Sequence, residues 1–338
     1  LRGSRPIPAR PRLAATGIVV AASVLLLAPP AAVVRAQQRP SGQVPSFRIG
    51  VDLVSLAVTV TDADNRYVAG LAASDFSVYE DGIKQDISFF DRSNAPIALA
   101  LLLDTSASME EKLTTAQEAA IGFAKRLRPQ DLAELVDFDT RAQVLQDFTN
   151  DPAPLEQAIR KTTADGSTSL YDAVYMSLQE MKKGRVKSAS EIRRRAIVLM
   201  SDGEDTSSLL SFDDVLDLAR HSDTAIYAIG TRSQADQVVN ARGFNEAEYV
   251  LKQLTQQTGG RVFFPKRIED LHAVYSQISD ELASQYLMGY TSKNTRRDGA
   301  WRRIVVRVDR PGALARTRQG YFAPVSYTHL TLPTKRIV

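Results

Sequence analysis

The chain has 338 residues, with 42 Lys or Arg against 39 Asp or Glu and a formal net charge of +3. Cys is absent, which excludes disulfide scaffolds, thiolate metal sites, iron–sulfur clusters and thiol catalysis. Only three His residues are present, so imidazole-based metal or triad chemistry has little to draw on.

In chain order, residues 1–36 read as an export signal. Arg2, Arg5, Arg10 and Arg12 form a positive start, Leu13 to Val34 is largely apolar, and Val34-Arg35-Ala36 offers a small-residue cleavage site. The alternative is a retained membrane anchor, because the apolar run approaches the length of a span. Residues 37–47 are a polar linker. An N-terminal β segment fills out residues 37–94: a strand over Val51–Val60, a turn over Thr61–Arg66, and strands over Phe76–Glu80 and Ile87–Phe90. Asp81-Gly82 is read as a hairpin turn between the last two.

From residue 95 the texture changes. Ile97–Leu103 is a continuous apolar run, as expected of a strand covered on both faces. Helix then follows over Met109–Leu127, a strand over Leu132–Phe138 with Val144–Phe148 hairpinned to it, and helices over 154–163 and up to Lys182. Arg195–Met200 is a second buried strand. Ser211 opens a helix with Asp214 three residues on, a capping pattern. Thr224–Gly230 and Val262–Phe264 are strands, and Ala247–Gln257 and Ile268–Leu282 are helices. Alternation of this kind predicts a doubly wound, mostly parallel α/β sheet across residues 95–284.

Residues 285–324 return to β, with strands over Tyr286–Tyr290, Trp301–Val308 and Ala315–Phe322. These are expected to pair with the N-terminal β segment, giving one β subdomain split around the α/β insert. Residues 325–338, VSYTHLTLPTKRIV, resemble the translation of a transposase sequencing adapter and are read as non-native. Without residues 1–36 and 325–338, the interior holds 35 basic and 39 acidic residues, a net of −4. The basic excess, and a pI of about 9.0, therefore belong to the two ends, and no nucleic-acid partner is implied.

In open α/β sheets, sites form beyond the carboxyl ends of the strands. Three loops at such positions are rich in oxygen. The first is Asp104-Thr-Ser106-Ala-Ser108, the second carries Thr168 in Gly-Ser-Thr-Ser-Leu-Tyr-Asp, and the third is Ser201-Asp202-Gly-Glu-Asp205. Carboxylates with hydroxyls make a hard donor set that suits Mg²⁺ or Mn²⁺ over Zn²⁺. Taken alone, Asp104-x-Ser106-x-Ser108 is equally read as a solvated turn with a Ser cap; the three loops together point to a metal.

The runs LLLDTSASM, STSLYDA and IVLMSDGED resemble the von Willebrand factor type A domain and its metal-ion-dependent adhesion site. By that resemblance Ser106, Ser108 and Thr168 are direct ligands, and Asp104 and Asp202 act largely through water or behind the ligands. The flanks VTVTDADNRYVAGLAASDFSVYEDG and TGGRVFFP, LASQYLMGYTS and GYFAP resemble the acidobacterial-type proteins related to that domain, which are exported. The resemblance implies a non-enzymatic, exported, periplasmic or extracellular module in which Mg²⁺ or Mn²⁺ grips an Asp or Glu carboxylate of a protein partner. Two alternatives stand beside it: a structural envelope or assembly protein with a vestigial site, and a metal-assisted hydrolase with Asp202 as base. Of the remaining polar residues, Asp172 is read as either metal-supporting or a first-turn helix acid. Asp205 is taken as a solvated loop acid or cap, and Asp137 and Asp139 as strand-edge or loop acids. Arg193-Arg194-Arg195 is expected to be a solvated positive patch, His221 and His272 structural or surface residues, and Trp301, Tyr286 and Tyr290 part of the β core.

Overall fold

In the computed structural model, residues 53–92, 95–183, 193–231 and 246–325 are described. The expected export signal and all but the first residue of the adapter-like tail lie outside them. All the described residues fall within one compact unit, Gly50–Val338. Among them, no helix is long and apolar enough to cross a membrane.

The strand β5 (Ile97–Asp104) is buried at all eight positions. Because strand side chains alternate, this one run serves two cores. Ile97, Leu99, Leu101 and Leu103 face one helical layer, which contains α1 (Leu113–Ala124), α2 (Pro152–Arg160) and α6 (Leu271–Ser284). Ala98, Ala100 and Leu102 face the other, containing α3 (Leu170–Lys182), α4 (Phe212–Arg220) and α5 (Glu246–Thr258). Burial on both faces is what makes the sequence read as unbroken apolar residues.

The central sheet also contains β6 (Leu132–Phe138), β7 (Ala142–Thr149), β8 (Arg194–Ser201), β9 (Thr224–Gly230) and β10 (Val262–Phe263). Its order is β10-β9-β8-β5-β6-β7. Every pairing is parallel except β6 with β7, the expected hairpin. Ser211 caps α4 as its spacing predicts: its Oγ accepts from Asp214 N, and Asp214 Oδ2 accepts from Ser211 N. The helix expected from Met109 begins later. Ala107–Met109 is a short 3₁₀ turn, because Ser106 and Ser108 are held by side-chain hydrogen bonds described below.

The flanks form two four-stranded sheets on one apolar core. The first has the order β13-β1-β11-β4, built from β1 (Leu53–Thr61), β4 (Ile87–Arg92), β11 (Tyr286–Thr291) and β13 (Leu314–Arg316). The second has the order β14-β12-β2-β3, built from β2 (Phe76–Glu80), β3 (Ile83–Gln85), β12 (Trp301–Val308) and β14 (Gly320–Phe322). Both sheets mix front and back segments: β1 pairs with β11, and β2 with β12. The front and back flanks thus complete one sandwich, as expected of a split subdomain.

Two local readings are corrected. Asp81 and Gly82, both at positive φ, do make a hairpin turn, but its second strand is β3. The strand at 87–92 leaves for the other sheet and pairs with β11. The single strand expected over 315–322 is two, because the chain crosses from β1 to β12 at residues 317–319. Gly259, at φ +82, lets the end of α5 meet that crossover. A Cβ there would lie 2.4 Å from Arg318 N.

Candidate functional site

β5 ends on Asp104 and β8 on Ser201, and the two strands are parallel neighbours with Leu103 opposite Met200. Their loops therefore leave the carboxyl edge of the sheet side by side. Asp104 is fully buried. Its Oδ1 accepts from Ser106 N at 3.0 Å and from Ser106 Oγ at 2.6 Å, and its Oδ2 accepts from Ser201 Oγ at 2.6 Å. Ser106 Oγ lies 3.1 Å from Ser108 Oγ, and Ser108 Oγ donates to Asp202 Oδ2 at 2.7 Å. Asp104, Ser106, Ser108 and Asp202 thus form one continuous run of side-chain oxygens. It grades from a buried carboxylate to an exposed hydroxyl at Ser108.

Thr168 reaches the same edge through backbone bonds. Ala107 N donates to Gly166 O and Asp165 N to Thr105 O, which ties the Thr168 loop to the Ser loop. Thr168 N donates to Thr206 Oγ1 at 2.9 Å, while Thr206 N and Ser207 N donate back to Thr168 O. The hydroxyl of Thr168 itself makes no hydrogen bond among the described residues.

Burial pushes Asp104 up to about 6, partly opposed by the Ser106 and Ser201 hydrogen bonds and reinforced by repulsion from Asp202. Desolvation of this kind, without a cation nearby, marks a carboxylate whose ionised form wants positive charge. The hydroxyl protons sharpen the point. With both acids ionised, Ser106 gives its proton to Asp104 and Ser108 gives its proton to Asp202. The 3.1 Å contact between the two hydroxyl oxygens then has lone pairs facing each other.

The hydroxyl pair Ser106–Ser108 has the spacing a small divalent cation would require of two adjacent ligands, while the contacts to Asp104 and Asp202 are hydrogen bonds. Neighbouring oxygens in the run are 2.6 to 3.1 Å apart. An octahedron with metal–oxygen bonds of about 2.1 Å has edges of about 3.0 Å. Among the described residues, no three His, Cys, Asp or Glu side chains cluster as a metal cage, so an ion at this edge would draw on the hydroxyls.

Two residues take a supporting role that the sequence reading did not give them. Ser201 supplies the second donor to Asp104 and accepts from Gly203 N at 3.0 Å. Gly203 sits at φ +87, where a Cβ would lie 2.9 Å from Ala247 O. Asp137, on β6, is buried rather than a plain edge acid, and its Oδ1 accepts from Thr105 Oγ1 at 2.7 Å. It fixes the residue between Asp104 and Ser106. The signals were a Ser directly before Asp202 and an acid next to the last residue of a mostly apolar strand.

Asp205 is a local cap, accepting from Tyr171 N and Ser208 Oγ. Asp172 accepts from Leu209 N and Leu210 N. Both fasten the loop after Asp202 to the first turn of α3. The expected positive patch at 193–195 is not one. Arg194 is buried and donates to the carbonyls of Ala95 and Leu282, and Arg195 pairs with Asp223. The parallel register sets Arg194 opposite Ile97 at the start of β8, beside Ala95 just ahead of β5 and Leu282 in the last turn of α6. His221 stacks on Phe322, and His272 is exposed. Tyr286 and Tyr290 are core, whereas Trp301 is half-buried on the outer face of β12.

A mostly parallel α/β domain carrying carboxylates and hydroxyls at its carboxyl edge is the class this architecture defines. Residues 99–204 match the family described as von Willebrand factor type A domain, and this part of the chain is such a domain. Over 112 residues the chain is 33% identical to an uncharacterized protein of Synechocystis sp., sll0103, across 32% of this chain and 26% of that one. It is 24% identical over 221 residues to a UPF0353 protein of Mycolicibacterium gilvum, across 59% of this chain and 64% of that one. The chain therefore spans less than two thirds of either relative. Among solved structures, a von Willebrand factor type A protein from Catenulispora acidiphila aligns at TM-score 0.46 and 10% identity, covering 83% of this chain and 76% of its own. The von Willebrand domain of the pilus tip protein Mfa5 from Porphyromonas gingivalis aligns at 0.44 and 16%, covering 55% and 94%.

Proposed function

We propose that this protein is an exported binding module. It holds Mg²⁺ or Mn²⁺ at Asp104, Ser106, Ser108, Thr168 and Asp202, and through the ion it grips a carboxylate on a protein partner. The observation that carries this reading is the run of oxygens from Asp104 to Asp202, in which Ser106 Oγ and Ser108 Oγ stand 3.1 Å apart and to which no Lys or Arg is bonded among the described residues. Two carboxylates balance the charge of a divalent ion, and neutral hydroxyls leave it electrophilic toward one more oxygen. The ion supplies that electrophilicity. The protein's residues supply placement: Ser201 and Asp137 fix Asp104 and the loop behind the hydroxyls, and Thr206 fixes Thr168. A binding role is preferred over serine–histidine catalysis because neither His221 nor His272 hydrogen-bonds to a site residue among the described residues. Export rests on residues 1–36.

Calorimetry with MgCl₂ tests the site. Wild type is expected to take up one ion, and Asp202→Ala, whose side chain is only half-buried, to take up none while remaining folded. Asp104→Ala is expected to behave the same way. Unchanged Mg²⁺ uptake in both variants would remove the site assignment. A pull-down from envelope extract with and without EDTA then tests the partner: the specific band is expected to vanish with EDTA and in Asp202→Ala.

A further inference from the structure

The outer face of β12 carries a second opening, well apart in the fold from the sheet edge that bears Asp104. It is a cleft of about 550 Å³ between the outward residues of β12, the crossover at 317–319 and the end of α5. Three arginines line it, Arg303, Arg316 and Arg318, and no Asp or Glu does. We infer that this cleft binds a small ligand with an oxyanion, a carboxylate or phosphate, on a planar apolar body.

The arginines differ in what they already hold. Arg316 is committed, pairing with Glu281 and donating to Gly260 O, so it forms a fixed wall. The exposed guanidinium of Arg303 has no hydrogen bond or ion pair among the described residues. Arg318 is anchored by one bond, Nη2 to Ser55 O at 3.0 Å, and lies over the Tyr321 ring. Its Nε is buried with no acceptor. Arg318 is fixed beside the cleft, and the exposed guanidinium of Arg303 is the group open to an oxyanion. A guanidinium fork matches carboxylate and phosphate geometry.

The apolar half of the ligand is set by Trp301. β12 and β14 pair with Trp301 opposite Phe322 and Arg303 opposite Gly320. The indole lies across Gly320, where a Cβ would sit 2.5 Å from Trp301 Cζ2, and Phe322 meets its edge at 5.0 Å between centroids. The ring is thereby held in place as part of the cleft's lining, at one end of an outward row that continues through Arg303 to the exposed Val305. An aromatic platform next to unneutralised guanidinium groups favours a flat anion over a compact one.

Trp301 is the single tryptophan of the chain, so its emission reports on this cleft directly. Titrating the full chain with phenyl phosphate and with benzoate is expected to give saturable changes in Trp301 emission, with inorganic phosphate binding more weakly and phenol not responding. Arg303→Gln, at an exposed position, is expected to keep the fold and weaken both aromatic anions about tenfold, the loss of one charge-assisted hydrogen bond. Arg318→Gln should do the same if it folds. EDTA should change nothing, since the cleft owes nothing to the metal edge. No saturable change with either aromatic anion, an equal response to phenol, or unaltered affinity in Arg303→Gln would overturn the proposal. Equal affinity for inorganic phosphate would overturn its planar half.

Discussion

The two regions of the molecule treat buried carboxylates in opposite ways. In the β sandwich, Glu80 is surrounded by donors, Tyr290, Tyr321 and Ser292, and closed by the buried cation Arg302. Where the sandwich meets the α/β domain, Glu281 takes the hydroxyls of Thr59, Tyr67 and Tyr227 and pairs with Arg316. At the carboxyl edge of the central sheet, Asp104 has hydroxyls and one amide but no arginine or lysine. Burying a charge is tolerated when a counter-charge is buried with it. Glu80 and Glu281 bring theirs in the sequence, whereas Asp104 pairs with no Lys or Arg among the described residues. The difference separates acids neutralised within the fold from the one that the proposed function assigns to an ion.

Breaking the completed kind is expected to give the largest effect. Glu80→Ala leaves Arg302 buried without its counter-charge and should cost about 3–5 kcal/mol in urea unfolding. Replacing both members, Glu80→Leu with Arg302→Met, should recover much of that loss. Asp202→Ala, at the open edge, should leave metal-free stability close to wild type. If it cost as much as Glu80→Ala, the contrast between the two regions would fail. The next effect is linkage. Mg²⁺ at a hundred times its Kd should stabilise wild type by about 2.7 kcal/mol and Asp202→Ala not at all, read as the shift in the unfolding midpoint.

The same contrast explains what could be read in advance. The α/β layers were legible because Ile97–Leu103 and Ala196–Met200 are unbroken apolar runs and the helices carry signals such as the Ser211 cap. The candidate site's loops were legible because Asp104, Ser106, Ser108 and Asp202 stand at or just past strand ends and Thr168 just before α3, where hydroxyls and acids have no core role. The supporting residues were less visible. Ser201 and Asp137 act through partners about 97 and 32 positions away, and spacing carries no trace of such pairs. Arg194 looked like surface charge inside a run of three, yet its place at the start of β8 buries it. The division of 315–322 depends on which sheet each half joins, which only Gly259 and the packing of the crossover decide.

A third way of burying an acid gives an effect that depends on pH. Glu134 lies within β6, fully enclosed, with Oε1 unpartnered. Burial pushes it up to about 8, helped by Glu180 and Asp147 and opposed by Lys183. An acid raised in the folded state keeps its proton there while the unfolded chain, titrating near 4.5, has already lost it. Its penalty is absent below pH 4.5, grows as pH rises toward 8, and is complete above. Wild-type stability should therefore fall relative to Glu134→Gln by up to about 1.4 kcal/mol per pH unit between pH 5 and 8. A constant difference across that range would show that Glu134 ionises freely.

The smallest effects come from two serines and divide stability from binding. Ser211 closes the capping box of α4, nine positions beyond Asp202, and takes no part in the oxygen run. Ser211→Ala should lower stability by about 1 kcal/mol with Mg²⁺ affinity unchanged. Ser108 is exposed, and its hydroxyl joins only Ser106 and Asp202. Ser108→Ala should move metal-free stability by less than about 0.5 kcal/mol yet weaken Mg²⁺ in the same calorimetric titration. The reverse pattern, with Ser211 governing the ion and Ser108 the fold, would mean that the hydroxyls at the sheet edge are ordinary loop caps and that Asp104 is simply an acid stabilised by its neighbours.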